Sequence, residues 1–307
     1  MIVVALSVAR WRAVGSSAEM DGAHINCLKL ECVRMWKKII ALLSVTVGLM
    51  SAQAFGAEAN EKFPGRALYP EAATYELSDV FQKLGKISIV DVRSQYEFDT
   101  LRIKGASNIS LTDKDFDGKL RTLRGSTDNP IVFYCNGITC HKSYQAVRRA
   151  LFLKIDNTFA YDAGIFAWAK AHPDQSVLLG RSPINPADII EKEAFSSHLL
   201  GPNEFGSQIG DGTIVLDVRD RFQREAVGFF PGIERRIALD QADKLDKMLQ
   251  KAKREDKTLL IYDEAGHQVQ WLQYHLVDAG VKNYYFMKGG AKAYYDMLSG
   301  KENKDKK

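Results

Sequence analysis

Pro130-Ile-Val-Phe-Tyr-Cys135-Asn-Gly-Ile-Thr-Cys140-His-Lys-Ser143 joins a short apolar run to a glycine-containing polar loop and the start of a helical stretch. An unbroken β-branched and aromatic run such as Ile131 to Tyr134 has no polar face, which predicts a strand buried on both sides. From Ser143 to Leu153, Ala146, Val147, Ala150, Leu151 and Leu153 recur at helical spacing on or near one face. Cys135 is thus the first residue beyond a buried strand. Outward from it, Ile87-Ser-Ile-Val-Asp-Val-Arg93 reads as a second buried strand ending in a polar turn, and Thr258-Leu-Leu-Ile-Tyr262 as a third. From about Tyr75 on, such runs alternate with amphipathic helical stretches, the pattern of an α/β chain whose mostly parallel sheet is covered by helices.

The pattern is written twice, at a period of about 126 residues. Asp91-Val92-Arg93 recurs as Asp217-Val218-Arg219, and the stretch Lys104-Gly105 to Ile109 recurs as Pro231-Gly232 to Ile237. Phe133-Tyr134-Cys135 aligns with Ile261-Tyr262-Asp263, and Ala163-Gly164 with Gly289-Gly290. The turn-rich stretch from Gly180 to Pro186 separates the copies, giving domains of 70–180 and 183–300 and a charged, solvated tail at 301–307.

Of 307 residues, 46% are hydrophobic and 26% charged, enough apolar surface to exclude disordered and collagen-like chains. Beyond residue 54 the chain balances 36 basic against 35 acidic groups, which argues against a nucleic-acid partner held by phosphate neutralisation. Met35-Trp-Lys-Lys38, the apolar run Ile39–Met50 and Ser51-Ala-Gln-Ala54 have the layout of a secretory signal over 35–57. Left uncleaved, the same stretch is the one route to a membrane anchor. Residues 1–34 show no sustained periodicity, so Met35 is the expected start and the upstream segment an over-extension, which N-terminal sequencing of the natural protein would check. The expected setting is periplasmic or secreted. Cys27 and Cys32 then drop out, leaving Cys135 and Cys140 in an oxidising compartment.

A cysteine between a strand end and a helix start faces converging backbone N–H groups and the positive end of the helix dipole, which favour an anion. There a thiolate is expected to have a lowered pKa, and the same cradle suits the anionic outer sulfur of a persulfide. The alternative role for Cys135 is that of a small buried core residue. The amides of Asn136, Gly137, Ile138, Thr139, Cys140, His141 and Lys142 form the expected cradle, with Lys142 binding an anionic sulfur donor. A local salt link of Arg93 with Glu97 or Asp99 is expected to support the loop. Cys140 is a candidate resolving thiol, close enough in sequence to bridge Cys135.

The order of strand with Asp91-Val-Arg93, Glu97-Phe98, Ile103-x-Gly105-Ala106-x-Asn108-Ile109, and strand with Tyr134-Cys135 followed by loop and helix resembles the rhodanese family. The resemblance covers both repeats. It implies two tandem rhodanese-like domains, each a five-stranded mainly parallel sheet flanked by helices. It also implies sulfurtransferase activity of the thiosulfate sulfurtransferase class through a Cys135 persulfide, with a small-molecule sulfur donor, a thiol or cyanide acceptor, and no cofactor. The copy carrying Asp263 cannot hold sulfane sulfur and is expected to be inactive. The loop after Cys135 is about two residues longer than is usual in the family and lacks its arginine, so the phosphatases of the superfamily, which clamp phosphate with arginine, are not expected. Three other readings stay open at this level: a non-catalytic binding module, a dithiol redox protein using Cys135 and Cys140, and, from Cys135-x4-Cys140-His141, a lengthened haem-attachment motif. No clustered ligand pairs suggest a zinc site.

Overall fold

A computed structural model describes residues 62–220, 223 and 228–301. The expected start at Met35, the leader at 35–57 and the tail beyond residue 301 lie outside the described residues.

The first repeat contributes β1 (Ser88–Asp91), β2 (Leu101–Ile103), β3 (Ser107–Asn108), β4 (Ile131–Tyr134), β5 (Thr158–Tyr161) and β6 (Ser176–Leu178). Its parallel sheet runs β3-β1-β4-β5, and β2 pairs with β6 in a separate antiparallel ribbon. The second repeat adds β7 (Leu199–Leu200), β8 (Thr213–Asp217), β9 (Arg235–Arg236), β10 (Thr258–Tyr262) and β11 (Tyr284–Met287), ordered β7-β11-β10-β8-β9. All four pairings in this second sheet are parallel. Five strands were expected in each copy. In the first, the outermost position is a single bridge between Thr74 and Ala160, because the chain turns at Glu76 into the helix Leu77–Gln82.

Both central strands are apolar on each face and buried end to end except at Thr258, as parallel strands covered by helices must be. Register carries the repeat into three dimensions. Asp91 stands beside Tyr134 across β1 and β4, and Asp217 beside Tyr262 across β8 and β10. Gly105 and Gly232 share a φ of 81°, and the amides of Ile109 and Ile237 reach the carbonyls of Asp91 and Asp217 at the same 3.0 Å. The loop after β4 leads into a helix at Lys142–Phe152, which buries Ala146, Val147 and Ala150 against the sheet. Leu151, expected on that face, lies off the stripe and is 42% exposed.

Side chains of the second repeat enter the core of the first. Trp271 and Tyr274, on the helix Val269–Asp278, belong to the cluster around Tyr134, Tyr161 and Trp168, and Trp271 stacks on Phe166 at 5.3 Å. Such large aromatic areas contribute several kcal/mol when buried (about 3–5 kcal/mol on truncation to alanine). No helix among the described residues is long and apolar enough to cross a membrane.

Candidate active site between two facing loops

The loop after β4 is pinned from behind. The amide of Cys140 closes a turn onto the Gly137 carbonyl at 2.8 Å, and the amide of Ile165, at the start of the helix Gly164–Ala171, donates to the Cys135 carbonyl at 3.0 Å. Gly164 has a φ of 72°, and a Cβ there would stand 2.4 Å from the Gly137 backbone. Only glycine allows that approach.

Arg93 is fully buried beside β1, paired with Asp91 at 2.6 Å, and it donates to the Asn136 side-chain oxygen at 3.2 Å. The Asn136 amide group in turn donates to Glu97 at 3.2 Å. Glu97 also caps its own helix through Ser94, in a reciprocal Ser-x-x-Glu box. The expected salt link of Arg93 with Glu97 or Asp99 is therefore corrected: Asp91 takes the ion pair, Asn136 bridges Arg93 to Glu97, and Asp99 accepts from Gln95. Burial opposes the charge on Glu97, but Arg93, Lys142 and the Ser94 hydrogen bonds hold its pKa below the usual carboxylate value.

The two sulfurs divide the loop between them. Cys135 is 0% exposed, and its thiol donates to the Cys140 carbonyl at 3.1 Å and lies 3.8 Å from the Ser143 hydroxyl. The amides of Gly137 and Ser143 point at the Cys135 sulfur, and those of Lys142 and Asn136 at the Cys140 sulfur. Both cysteines are free thiols. The expectation of a lowered pKa at Cys135 is reversed. Burial, together with the neighbouring Cys140, pushes the Cys135 thiol up. Cys140 instead comes down to about 6, through the hydrogen bond from Cys135, the two amides and the Lys142 charge. Cys140 is the half-buried thiol of the pair and faces open space.

The second loop resolves what such a turn binds. Asp263 follows β10 as Cys135 follows β4, and its carboxylate is 97% buried. One oxygen accepts from the amides of Ala265 (3.1 Å) and Gly266, the other from those of Gln268 (2.5 Å) and Val269 (3.1 Å). The brace behind it is the same, the amide of Ala291 donating to the Asp263 carbonyl at 2.8 Å beside Gly290.

The two loops face each other across a cleft of about 1230 Å³. Asn136, Gly137, Ile138, Thr139, Cys140 and Lys142 line it on one side, with Asp263 and His267 among those opposite. Of the expected nucleophile and cradle, two residues lie elsewhere. Cys135 sits behind the wall, and His141 stands edge-on to Tyr69 at 5.7 Å. With those positions, Cys135 and His141 are not presented together as haem attachment would require. Across the cleft, Gln268 reaches Glu97 at 3.5 Å, and the Trp271 ring lies 4.8 Å from the Arg93 guanidinium. Among the described residues no group of three or more histidine, cysteine or carboxylate side chains is arranged to hold a metal ion.

Sequence reasoning missed Asp91, Ser143, Gln268 and Trp271. Asp91 was detectable, since it closes β1 two residues before Arg93, a separation at which extended chain places side chains on one face. Gln268 and Trp271 carry no local signal, because only the docking of the repeats brings them here.

The family model for the Rhodanese-like domain matches residues 75–171 and again 201–297. Among solved structures, the chain is similar to a thiosulfate sulfurtransferase from Pseudomonas aeruginosa at 17% identity, over 74% of this chain and 42% of that one, with a TM-score of 0.34. A rhodanese-related protein from Thermoplasma volcanium is 20% identical over 32% of this chain and 92% of its own (TM-score 0.26). A protein from Bacillus halodurans is 18% identical over 46% and 98% (TM-score 0.33). No curated protein matches the sequence. Matched twice by one domain and built twice to one plan, the chain belongs to the rhodanese-like domain family as a tandem member.

Proposed function

We propose that the chain is a sulfurtransferase whose first domain moves a sulfane sulfur from an anionic donor such as thiosulfate to a thiol or cyanide acceptor, by way of a Cys135 persulfide. The observation that carries this reading is the carboxylate of Asp263, a two-atom anion fixed to the strand end and held by four loop amides. A persulfide on Cys135 has the same outline, one atom tethered to the strand end and a second bonded to it, the negative charge outermost. The amides of Gly137 and Ser143 already point at the tethered sulfur.

In the loading half, a thiolate of the loop attacks the outer sulfur of thiosulfate. A new S–S bond forms, and sulfite leaves with the electron pair of the broken one. In the unloading half, the acceptor attacks the outer sulfur and the cysteine leaves as thiolate. Lys142, on the cleft wall, supplies positive charge for an anionic donor. Asp263 cannot bond a sulfane sulfur, which leaves the second domain as the opposite wall of the cleft. The exported setting belongs to this proposal on the strength of the leader-like stretch 35–57 alone.

Intact mass spectrometry after incubation with thiosulfate tests the reading. A gain of one sulfur atom, located on the Cys135 peptide after digestion of the wild type, together with thiocyanate formation from cyanide, is the expected result; no gain in the wild type refutes it. The contact between the two thiols favours a second reading, dithiol exchange. That reading requires insulin reduction by the wild type and its loss in both Cys135→Ser and Cys140→Ser.

A further inference from the structure

The sulfur proposed to store the cargo is not the sulfur a donor meets. Cys135 is fully buried and does not line the cleft, whereas Cys140 does, between Asn136 and Lys142. We propose that Cys140 takes the sulfane sulfur from the donor and hands it to Cys135, so that the first domain loads through a two-cysteine relay; this rests on the sulfur-transfer reading above. Cys140 is suited to the encounter: it lines the cleft, and the Cys135 thiol, two amides and Lys142 favour its thiolate. Cys135 is suited to storage, being enclosed and facing two further amides. Cys135 Sγ lies 3.1 Å from the Cys140 carbonyl oxygen and interacts with the Cys140 side chain, so the hand-over takes place between two residues already in contact.

The steps balance. The Cys140 thiolate attacks the outer sulfur of thiosulfate, and sulfite leaves, giving a Cys140 persulfide whose outer atom lies about 2 Å beyond Sγ. The Cys135 sulfur then attacks that outer atom. The bond to Cys140 breaks, and Cys140 leaves as thiolate and takes the proton Cys135 gives up. No electrons are gained or lost in the hand-over. The competing course is attack by Cys135 on the inner sulfur, which expels hydrosulfide and leaves a Cys135–Cys140 disulfide that only a dithiol reductant resets.

Peptide-resolved mass spectrometry of the full chain separates these courses. The relay requires that Cys135→Ser retain the extra sulfur on Cys140. It also requires that Cys140→Ser and Cys140→Ala load Cys135 at least about tenfold more slowly than wild type, with unchanged circular dichroism. In wild type quenched at early times, the extra sulfur must occupy Cys140 before Cys135, a measurement that needs no variant. Loading of Cys135 at the wild-type rate without Cys140 overturns the relay and leaves sulfur transfer standing. Disulfide and hydrosulfide in the wild type overturn it in favour of the competing course. Absence of sulfur from both cysteines in the wild type removes the sulfur-transfer reading itself.

Discussion

Replacing Asp263 by asparagine changes one atom in an anion site that four amides already satisfy. The carboxylate accepts from four amides, two on each oxygen. Asparagine keeps one oxygen for two of them and turns an NH2 group toward the other two, donor against donor. Two charge-assisted hydrogen bonds are lost, each contributing about 1.5–3 kcal/mol, so the loop loses at least ~3 kcal/mol of local stability. At 1.4 kcal/mol per factor of ten, the amides of Ala265, Gly266, Gln268 and Val269 should exchange with deuterium roughly 100-fold faster. The amides of Gly137 and Ser143 in the first domain serve as the internal reference and should hold their rates. Protection at the four amides within about threefold of wild type would show that the carboxylate does not organise the turn, and the comparison with a persulfide would fall with it.

Gly164→Ala should cost about 2–4 kcal/mol and displace the Cys135 loop, because the new Cβ meets the Gly137 backbone at 2.4 Å with φ at 72°. Gly105→Ala, at a φ of 81° but with nothing within 4 Å, should cost only the ~1–2 kcal/mol of backbone strain, and thermal melts compare the two. Arg93→Ala leaves Asp91 buried and unpaired, so the first domain should lose about 3–5 kcal/mol and melt more than ~10 °C lower. Arg148→Ala, whose pair with Glu71 is exposed and screened by solvent, should leave the melt close to that of wild type in the same assay. Because the Cys140 pKa is lowered to about 6, its thiolate forms as pH rises through that value, so iodoacetamide should label Cys140 with a midpoint near 6. A midpoint at the ordinary thiol value would contradict the amide arrangement around its sulfur.

The parts legible in the sequence are those fixed by short-range periodicity. Unbroken apolar runs mark β4 and β10, and each pairs with the strand of its own Asp-Val-Arg triplet in the same register, Asp91 beside Tyr134 and Asp217 beside Tyr262. The sequence also reveals that Asp263 stands where Cys135 stands, but not that its carboxylate would draw four amides. Arg93 was paired in expectation with carboxylates further along the chain. The chain leaving β1 instead sets it against Asp91, two residues earlier, and the ion pair they form is fully buried. The division between the two thiols was hidden for a different reason. Spacing indicates that Cys135 and Cys140 can meet, but the turn at Gly137–Cys140 decides which sulfur faces water. The short fifth position in the first sheet depends on where the next helix begins, a boundary that periodicity locates poorly.

The carboxylate in the second loop is tethered, and a tethered ion does not obey mass action. Its local concentration is set by one Cα–Cβ bond, so no dilution removes it and no sulfate or phosphate in the medium competes for its four amides on equal footing. The first loop has no such fixed tenant, and its amides are shared between two sulfurs, one of them beside solvent. Exchangeable anions therefore discriminate between two turns of common design, and stabilisation of the strand-end turns by added oxyanions should appear in the half of the chain that ends near residue 180.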